Sequence, residues 1–244
     1  MSALALIVSA GPALANVVVV DPGGVSGIKR GDVLDDKKKI EVPLGRRLTV
    51  TLQQNGKIVT KEILGRRAGL VSELLTPESL PTRIVSLLRD LIRNGGTSQD
   101  GLAGTRGFNL YVQQVGVATA LGGGAAKTVQ TICVEEGQLP LITLGAGLDK
   151  TTVRVQNPGQ AGPGTTIELT KANARAAWPS AVGVKDNVTY RLIEATGQTA
   201  EVRLRSVPSG MLSDLTSSRA LVTLQDRGCS AQVENALWQT VQQR

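Results

Sequence analysis

Residues 174–207, with the sequence ARAAWPSAVGVKDNVTYRLIEATGQTAEVRLRSV, predict two β-strands joined by a short turn. In the first strand Val188, Tyr190 and Leu192 alternate with polar residues, and in the second Val202 and Leu204 alternate with charged residues. Because successive side chains of a strand point to opposite faces, each strand has one apolar and one polar face. The stretch is therefore expected to form paired strands that cover a core.

The region around these strands, residues 108–208, is predicted to be an immunoglobulin-like β-sandwich. It holds four or more short strands separated by turn-rich segments, which is typical of a sandwich, and a barrel is the alternative. Trp178 is expected to anchor the core. Residues 209–244 are predicted to form a C-terminal helical hairpin, in which Gly228 ends the first helix and Ser230 begins the second.

Residues 16–64 are predicted to form an N-terminal antiparallel β module. Residues 40–44 and 48–52 alternate apolar and polar side chains, which is typical of half-buried strands. Asn55-Gly56 follows the second of these strands and is a strong hairpin signal, because both central residues of a type I′ turn need positive φ. The whole chain is thus expected to be mainly β with a few helices.

Residues 65–107 are predicted to contain an amphipathic helix followed by a flexible linker. Thr76-Pro77-Glu78 marks the expected helix start, and Pro81 allows a start one turn later. The favoured interpretation is a helix packed on a sheet, and a basic amphipathic helix at a membrane surface is the alternative. Residues 95–107 are rich in glycine, which indicates a linker and a domain boundary.

The composition excludes several kinds of catalytic site. The chain has no histidine, which removes Ser-His-Asp and Cys-His catalysis and most catalytic zinc sites. Its two cysteines are too few for a zinc site of four thiolates. The glycine-rich residues 121–128 do not match a phosphate-binding loop, because Ala126 stands where its second glycine is required. We therefore expect no enzymatic activity, no small-molecule cofactor and no metal site.

The formal net charge of +7 favours an acidic partner such as nucleic acid, an acidic envelope polymer or a membrane surface. The basic residues are spread along the chain in small groups, however, and one Phe, two Trp and two Tyr offer few rings on which bases could stack. A diffuse basic surface is the favoured interpretation. Binding of nucleic acid or another anionic polymer is the alternative function.

Residues 1–15 are predicted to be a signal peptide, because they are uncharged and largely apolar and end in Ala13-Leu14-Ala15, which fits the A-x-A cleavage rule. A buried first strand is the alternative. Export would place Cys133 and Cys229 in an oxidising compartment, where two cysteines with no others predict one structural disulfide. In a cytosolic protein the same residues would be two buried thiols.

The segment that begins with Lys29-Arg30-Gly31-Asp32-Val33-Leu34 and continues to the Asn55-Gly56 turn resembles the β-repeat of FecR-type periplasmic domains. The resemblance covers residues 17–64 and implies a periplasmic β module. The mid-chain Cys133 strand, Trp178-Pro179 and Gly228-Cys229-Ser230-Ala231-Gln232 are similar to the pattern of a class of exported bacterial proteins. This second resemblance implies export.

These patterns together predict an exported, non-catalytic binding or envelope-assembly protein of the bacterial periplasm, or a secreted one. Its partner is expected to be an envelope protein or another protein. A peripheral contact with a membrane is a further expectation, and nucleic acid is a disfavoured partner.

Overall fold

A computed structural model describes residues 16–94, 110–114, 117–120, 129–145, 148–160 and 162–242. These ranges form several mainly antiparallel β-sheets and four helices, so the predicted mainly β fold is confirmed. The chain divides into two compact units, Met1–Arg89 and Asp90–Arg244. The predicted signal peptide, residues 1–15, and the predicted linker, residues 95–107, lie outside the described residues and stay predictions.

The described part of the first unit contains two β-sheets. Its strands are β1 (Asn16–Asp21), β2 (Val33–Asp35), β3 (Lys39–Val42), β4 (Arg47–Gln54), β5 (Lys57–Leu64) and β6 (Arg67–Leu70). One antiparallel sheet has the order β2-β1-β4-β5, and β3 pairs antiparallel with β6. Strand β6 extends the β structure beyond Leu64, where the alternating pattern of the sequence ends.

Both sheets of the first unit contribute to one hydrophobic core. Leu48, Val50 and Leu52 of β4 are fully buried at a spacing of two residues, as the alternating sequence predicts. The same core contains apolar residues of β1 and β3, namely Val17, Val19, Ile40 and Val42. Hydrophobic burial therefore holds the small β3–β6 pair to the larger sheet.

The turn between β4 and β5 is the two-residue hairpin predicted from Asn55-Gly56. Both residues have positive φ, 52° and 71°. The carboxylate of Glu78 accepts hydrogen bonds from the backbone N–H groups of Asn55 at 2.6 Å and Gly56 at 2.9 Å, and from Nε2 of Gln53 at 3.3 Å. The Gly56 hydrogen bond is the main cause of a lowered pKa of Glu78, which burial opposes.

Two helices follow β6, α1 (Val71–Leu75) and α2 (Thr82–Arg93). Helix α2 begins after Pro81, the later of the two starts that the sequence allowed, so the expected start at Thr76 is wrong. The reason is tertiary, because Glu78 forms an antiparallel bridge with Gln53 and its N–H donates to the Gln53 carbonyl at 2.8 Å. The backbone around Glu78 is therefore extended.

The described part of the second unit contains nine strands in two β-sheets. They are β7 (Leu110–Gln114), β8 (Val117–Ala120), β9 (Gln130–Glu135), β10 (Leu141–Leu144), β11 (Lys150–Gln156), β12 (Thr165–Thr170), β13 (Arg175–Ala177), β14 (Val188–Glu194) and β15 (Thr199–Val207). One sheet has the order β13-β10-β7-β8, and the other has the order β12-β11-β14-β15-β9.

The paired strands predicted at residues 174–207 are β14 and β15. Tyr190 lies opposite Val202, and Leu192 lies opposite Ala200, so the apolar residues share one face as the alternation requires. Strand β9 pairs with the other side of β15 in parallel orientation. This parallel pair joins strands that are far apart in the chain, and no sequence pattern predicted it.

The two sheets of the second unit contribute to one hydrophobic core, with Ile142 and Leu144 from one sheet and Val153 from the other. Trp178 and Tyr190 are buried in it, and their ring centroids lie 5.1 Å apart at an interplanar angle of 83°. Trp178 is thus the core residue that the sequence predicted. An immunoglobulin-like arrangement of the sheets stays a prediction.

The chain ends in two helices, α3 (Ser218–Asp226) and α4 (Ser230–Gln242), joined by a tight elbow. Gly228 has a φ of 78°, and the N–H of Cys229 donates to the carbonyl of Leu224 at 2.9 Å, which ends α3 as predicted. None of the helices in the described ranges is long and apolar enough to cross a membrane.

Candidate functional site

The two cysteines predicted to form a disulfide are bonded to each other. Cys133 lies in β9, Cys229 lies in the elbow between α3 and α4, and their Cα atoms are 5.8 Å apart. Both residues are fully buried. The bond therefore attaches the helical elbow covalently to a strand that is 96 residues away in the chain.

Gln232 adds a second attachment at the same place. The backbone N–H of Cys133 donates to Oε1 of Gln232 at 2.6 Å, and Nε2 of Gln232 donates to the Cys133 carbonyl at 3.1 Å. Gln232 is 2% exposed. The sequence pattern included Gln232 only as the last residue of Gly-Cys-x-x-Gln, and its hydrogen bonds to the partner cysteine were not predicted.

Glu135 provides a third attachment two residues further along β9. Its Oε1 accepts a hydrogen bond from the backbone N–H of Leu212 at 2.6 Å, and the residue is 4% exposed. The neighbouring Glu136 is exposed. The adjacent carboxylates therefore do not form the acid pair that hydrolysis of a glycosidic bond would need.

We call Cys133, Glu135, Leu212, Cys229 and Gln232 the β9 clasp. Strand β9 is the last strand in the order of its sheet, and helix α4 lies against it. An uncovered edge strand presents backbone donors and acceptors that can pair with another chain. In the β9 clasp the backbone N–H and carbonyl of Cys133 are already hydrogen-bonded to Gln232, so they cannot pair with a strand of another chain.

Two features of the described residues bear on metal and ligand binding. No group of three or more Cys, Asp or Glu side chains that could hold a metal ion occurs among them. A cleft of about 180 Å³ is lined by uncharged residues, which are Asn157, Gln160, Gly162, Gly164, Thr165, Ala181 and Val182. The glycine-rich residues 121–128 lie outside the described ranges.

The amphipathic helix does not provide the membrane-facing surface considered from its sequence. Ile84, Leu88 and Ile92 of α2 are each 0% exposed. An apolar face must be accessible to enter a lipid headgroup layer. The interpretation of α2 as an interfacial helix is therefore wrong, and the helix is a packed element of the fold.

A different apolar surface lies at one end of the first unit. Leu44, in the turn before β4, is 73% exposed, and Leu64, at the end of β5, is 62% exposed. The two turns are in close contact, because a Cβ built on Gly65 would lie 2.4 Å from the Pro43 carbonyl oxygen and 3.1 Å from the Cα of Leu44. Exposed Leu44 thus lies on a turn that contacts Gly65, the residue that follows exposed Leu64.

Four arginines lie close to these leucines in the chain. Arg47 lies opposite Leu64 in the β4–β5 register and pairs with Asp21 at 3.7 Å and Glu62 at 3.8 Å. Arg46 follows Leu44 by two residues and its guanidinium lies close to Gly24, and Arg66 and Arg67 follow Leu64. All three arginines are exposed. We call Leu44, Arg46, Leu64, Arg66 and Arg67 the leucine–arginine end.

Comparisons with protein-family models, with curated proteins and with solved structures found no match for this chain. The resemblance of residues 17–64 to FecR-type repeats therefore stays a prediction.

Proposed function

We propose that the chain is an exported, non-catalytic binding or envelope-assembly protein of the bacterial periplasm, which acts through protein–protein contacts of its β units. The observation that carries the proposal is the buried Cys133–Cys229 disulfide. Structural disulfides form and persist in oxidising compartments and are rare in the cytosol. A disulfide in a chain that contains just two cysteines fits a protein that works outside the cytosol.

The β9 clasp supports a binding role rather than a redox role. Its sulfur atoms are buried, and a redox-active cysteine needs exposure and an electropositive setting. Two hydrogen bonds between the Gln232 side chain and the backbone of Cys133, and one that the Glu135 carboxylate accepts from the N–H of Leu212, reinforce the covalent link at the same strand. Loops on a scaffold that is held together in this way are suited to present a surface to partners.

Export is tested by the mass of the protein in fractionated cells. The full coding sequence is expressed in a bacterial host, and periplasmic and cytoplasmic fractions are analysed by intact mass spectrometry without reductant. We expect a periplasmic species that lacks residues 1–15 and is lighter by the two hydrogens of the disulfide. A full-length, reduced protein in the cytoplasm would contradict the proposal.

The binding role is tested by crosslinking in intact cells. We expect wild-type protein to crosslink reproducibly to a defined envelope protein, and the Cys133→Ser/Cys229→Ser variant to lose that crosslink or to be degraded. An exposed substitution such as Lys171→Gln serves as the matched control and should keep it. Turnover of a substrate by purified protein would contradict the non-catalytic role.

A further inference from the structure

The leucine–arginine end combines exposed apolar side chains with three arginines that form no ion pair among the described residues. Leu44 and Leu64 are the most exposed large apolar side chains of the described residues. Single exposed leucines are ordinary on protein surfaces, but adjacent ones rimmed by charge indicate an interaction surface. Leu44 lies in the turn before β4 and Leu64 lies at the end of β5, and both side chains are accessible to a partner.

Its arginines are available to an anionic partner. Among the described residues, no carboxylate lies within ion-pair distance of Arg46, Arg66 or Arg67. Arg47 is partly neutralised by Asp21 and Glu62 and remains half exposed. A guanidinium group donates hydrogen bonds to phosphate oxygens in a planar fork, which makes arginine well suited to phosphate surfaces.

We propose that the leucine–arginine end binds an anionic lipid surface, with Leu44 and Leu64 entering the headgroup layer and Arg46, Arg66 and Arg67 contacting phosphates. Interfacial binding of this kind gains from both buried apolar area and attraction to anionic lipids. Nucleic acid fits the surface less well. Leucines offer no ring on which a base could stack, so they would stay hydrated beside a phosphate backbone.

The proposal is tested by sedimentation of purified full-length protein with lipid vesicles. We expect binding to vesicles of equimolar phosphatidylcholine and phosphatidylglycerol, weaker binding at high salt, and little binding to phosphatidylcholine alone. Equal binding to both vesicle types, or none to either, would overturn it. The assay uses purified protein, so its outcome does not depend on whether the chain is exported.

Two double variants separate the apolar from the electrostatic contribution. Leu44→Ser/Leu64→Ser should weaken binding to the mixed vesicles by about tenfold or more, because two partly inserted leucines are lost. Arg46→Gln/Arg66→Gln should also weaken it and reduce its salt dependence. Leu139→Ser, at a 41% exposed leucine in the second unit, is the matched control and should bind as wild type.

The leucine variant also decides between lipid and nucleic acid. If Leu44→Ser/Leu64→Ser binds the mixed vesicles as wild type does, insertion is absent and the proposal is overturned. The surface would be assigned to nucleic acid instead if two results occurred together. Retention on a DNA column would be lower for Arg46→Gln/Arg66→Gln, and vesicle binding would be the same with and without the two leucines. All substituted residues are exposed, and circular dichroism is used to check that each variant folds.

Discussion

The side-chain amide of Gln232 pairs with the backbone of Cys133 through two hydrogen bonds, one donated by the Cys133 N–H at 2.6 Å and one accepted by its carbonyl at 3.1 Å. A primary amide carries one acceptor oxygen and N–H donors, the same groups that a neighbouring strand would offer. Gln232 therefore substitutes for a strand at the edge of the sheet. It does so at Cys133, whose disulfide to Cys229 attaches the start of α4, the helix that contains Gln232.

Replacement of Gln232 by leucine should destabilise the second unit by about 3 kcal/mol, because two buried backbone groups of Cys133 lose their partners. The loss is measured from urea unfolding followed by tryptophan fluorescence, which reports this unit because Trp178 and Trp238 both belong to it. Gln160→Leu, at an exposed position, is the control and should change stability little. A loss below about 0.5 kcal/mol for Gln232→Leu would contradict the assigned role.

Removal of the disulfide by Cys133→Ala/Cys229→Ala should cost about 4 to 5 kcal/mol, since the bond closes a loop with a sequence separation of 96 and restricts the unfolded chain. Urea unfolding followed by tryptophan fluorescence gives the difference in the free energy of unfolding between wild type and this variant. Native protein should also resist alkylation after mild reductant, because both cysteines are buried. Rapid labelling of the folded wild type would show that the elbow opens.

Glu78 should titrate below its ordinary pKa, near 4.5, because hydrogen bonds from Gly56, Asn55 and Gln53 favour its charged form. A group whose pKa is lowered by folding stabilises the protein above its unfolded pKa, and that contribution is lost as pH falls through the folded pKa. The Gly56 amide resonance, followed by NMR over acid pH, should shift with an inflection below 4.5.

The substitution Glu78→Gln provides the matching comparison. The acid-dependent shift of the Gly56 amide resonance should be absent in this variant. The difference in the free energy of unfolding between variant and wild type should become smaller as pH falls, because protonation of Glu78 removes the same charge from wild type. Glu136→Gln, at an exposed carboxylate, should leave both observations unchanged. An unaltered Gly56 titration in Glu78→Gln would assign the shift to another group.

Tyr190→Phe should destabilise the second unit by about 1 to 2 kcal/mol at neutral pH, because the N–H of Lys185 loses the acceptor Oη that it contacts at 2.9 Å. Burial raises the pKa of Tyr190, which the Lys185 hydrogen bond opposes. A raised pKa stabilises the fold below the unfolded pKa, and this contribution is lost as pH rises. The difference in the free energy of unfolding between wild type and Tyr190→Phe should therefore become smaller above about pH 10. A difference that does not change with pH would contradict this expectation.

Several elements could be predicted from local sequence because their signals are local. The alternation around Tyr190 and Val202 fixed the faces of β14 and β15, and Asn55-Gly56 fixed the hairpin turn through its need for positive φ. Gly228 ended α3 for the same backbone reason. The disulfide was predictable because two cysteines allow one intramolecular pairing.

The expected start of α2 failed because a local signal competed with a distant one. Thr76-Pro77-Glu78 has the composition of a helix start, but Glu78 instead bridges Gln53 and binds the Asn55-Gly56 turn. These contacts satisfy both the carboxylate and the backbone of Glu78. The Asn55-Gly56 turn that binds Glu78 lies 22 to 23 residues away in the chain, so the local sequence around residue 78 does not reveal it.

By itself the sequence determined the mainly β class, the hairpin turns and the cysteine pair, because side-chain periodicity and backbone φ preferences act between neighbours in the chain. The tertiary structure alone decided the parallel pairing of β9 with β15, the attachment of Gln232 to Cys133, and the close approach of Gly65 to the turn that contains Leu44. Gln232 and Cys133 are 99 residues apart. Contacts over such separations depend on how whole sheets and helices pack. This packing does not produce a periodic pattern in the sequence of either contacting segment.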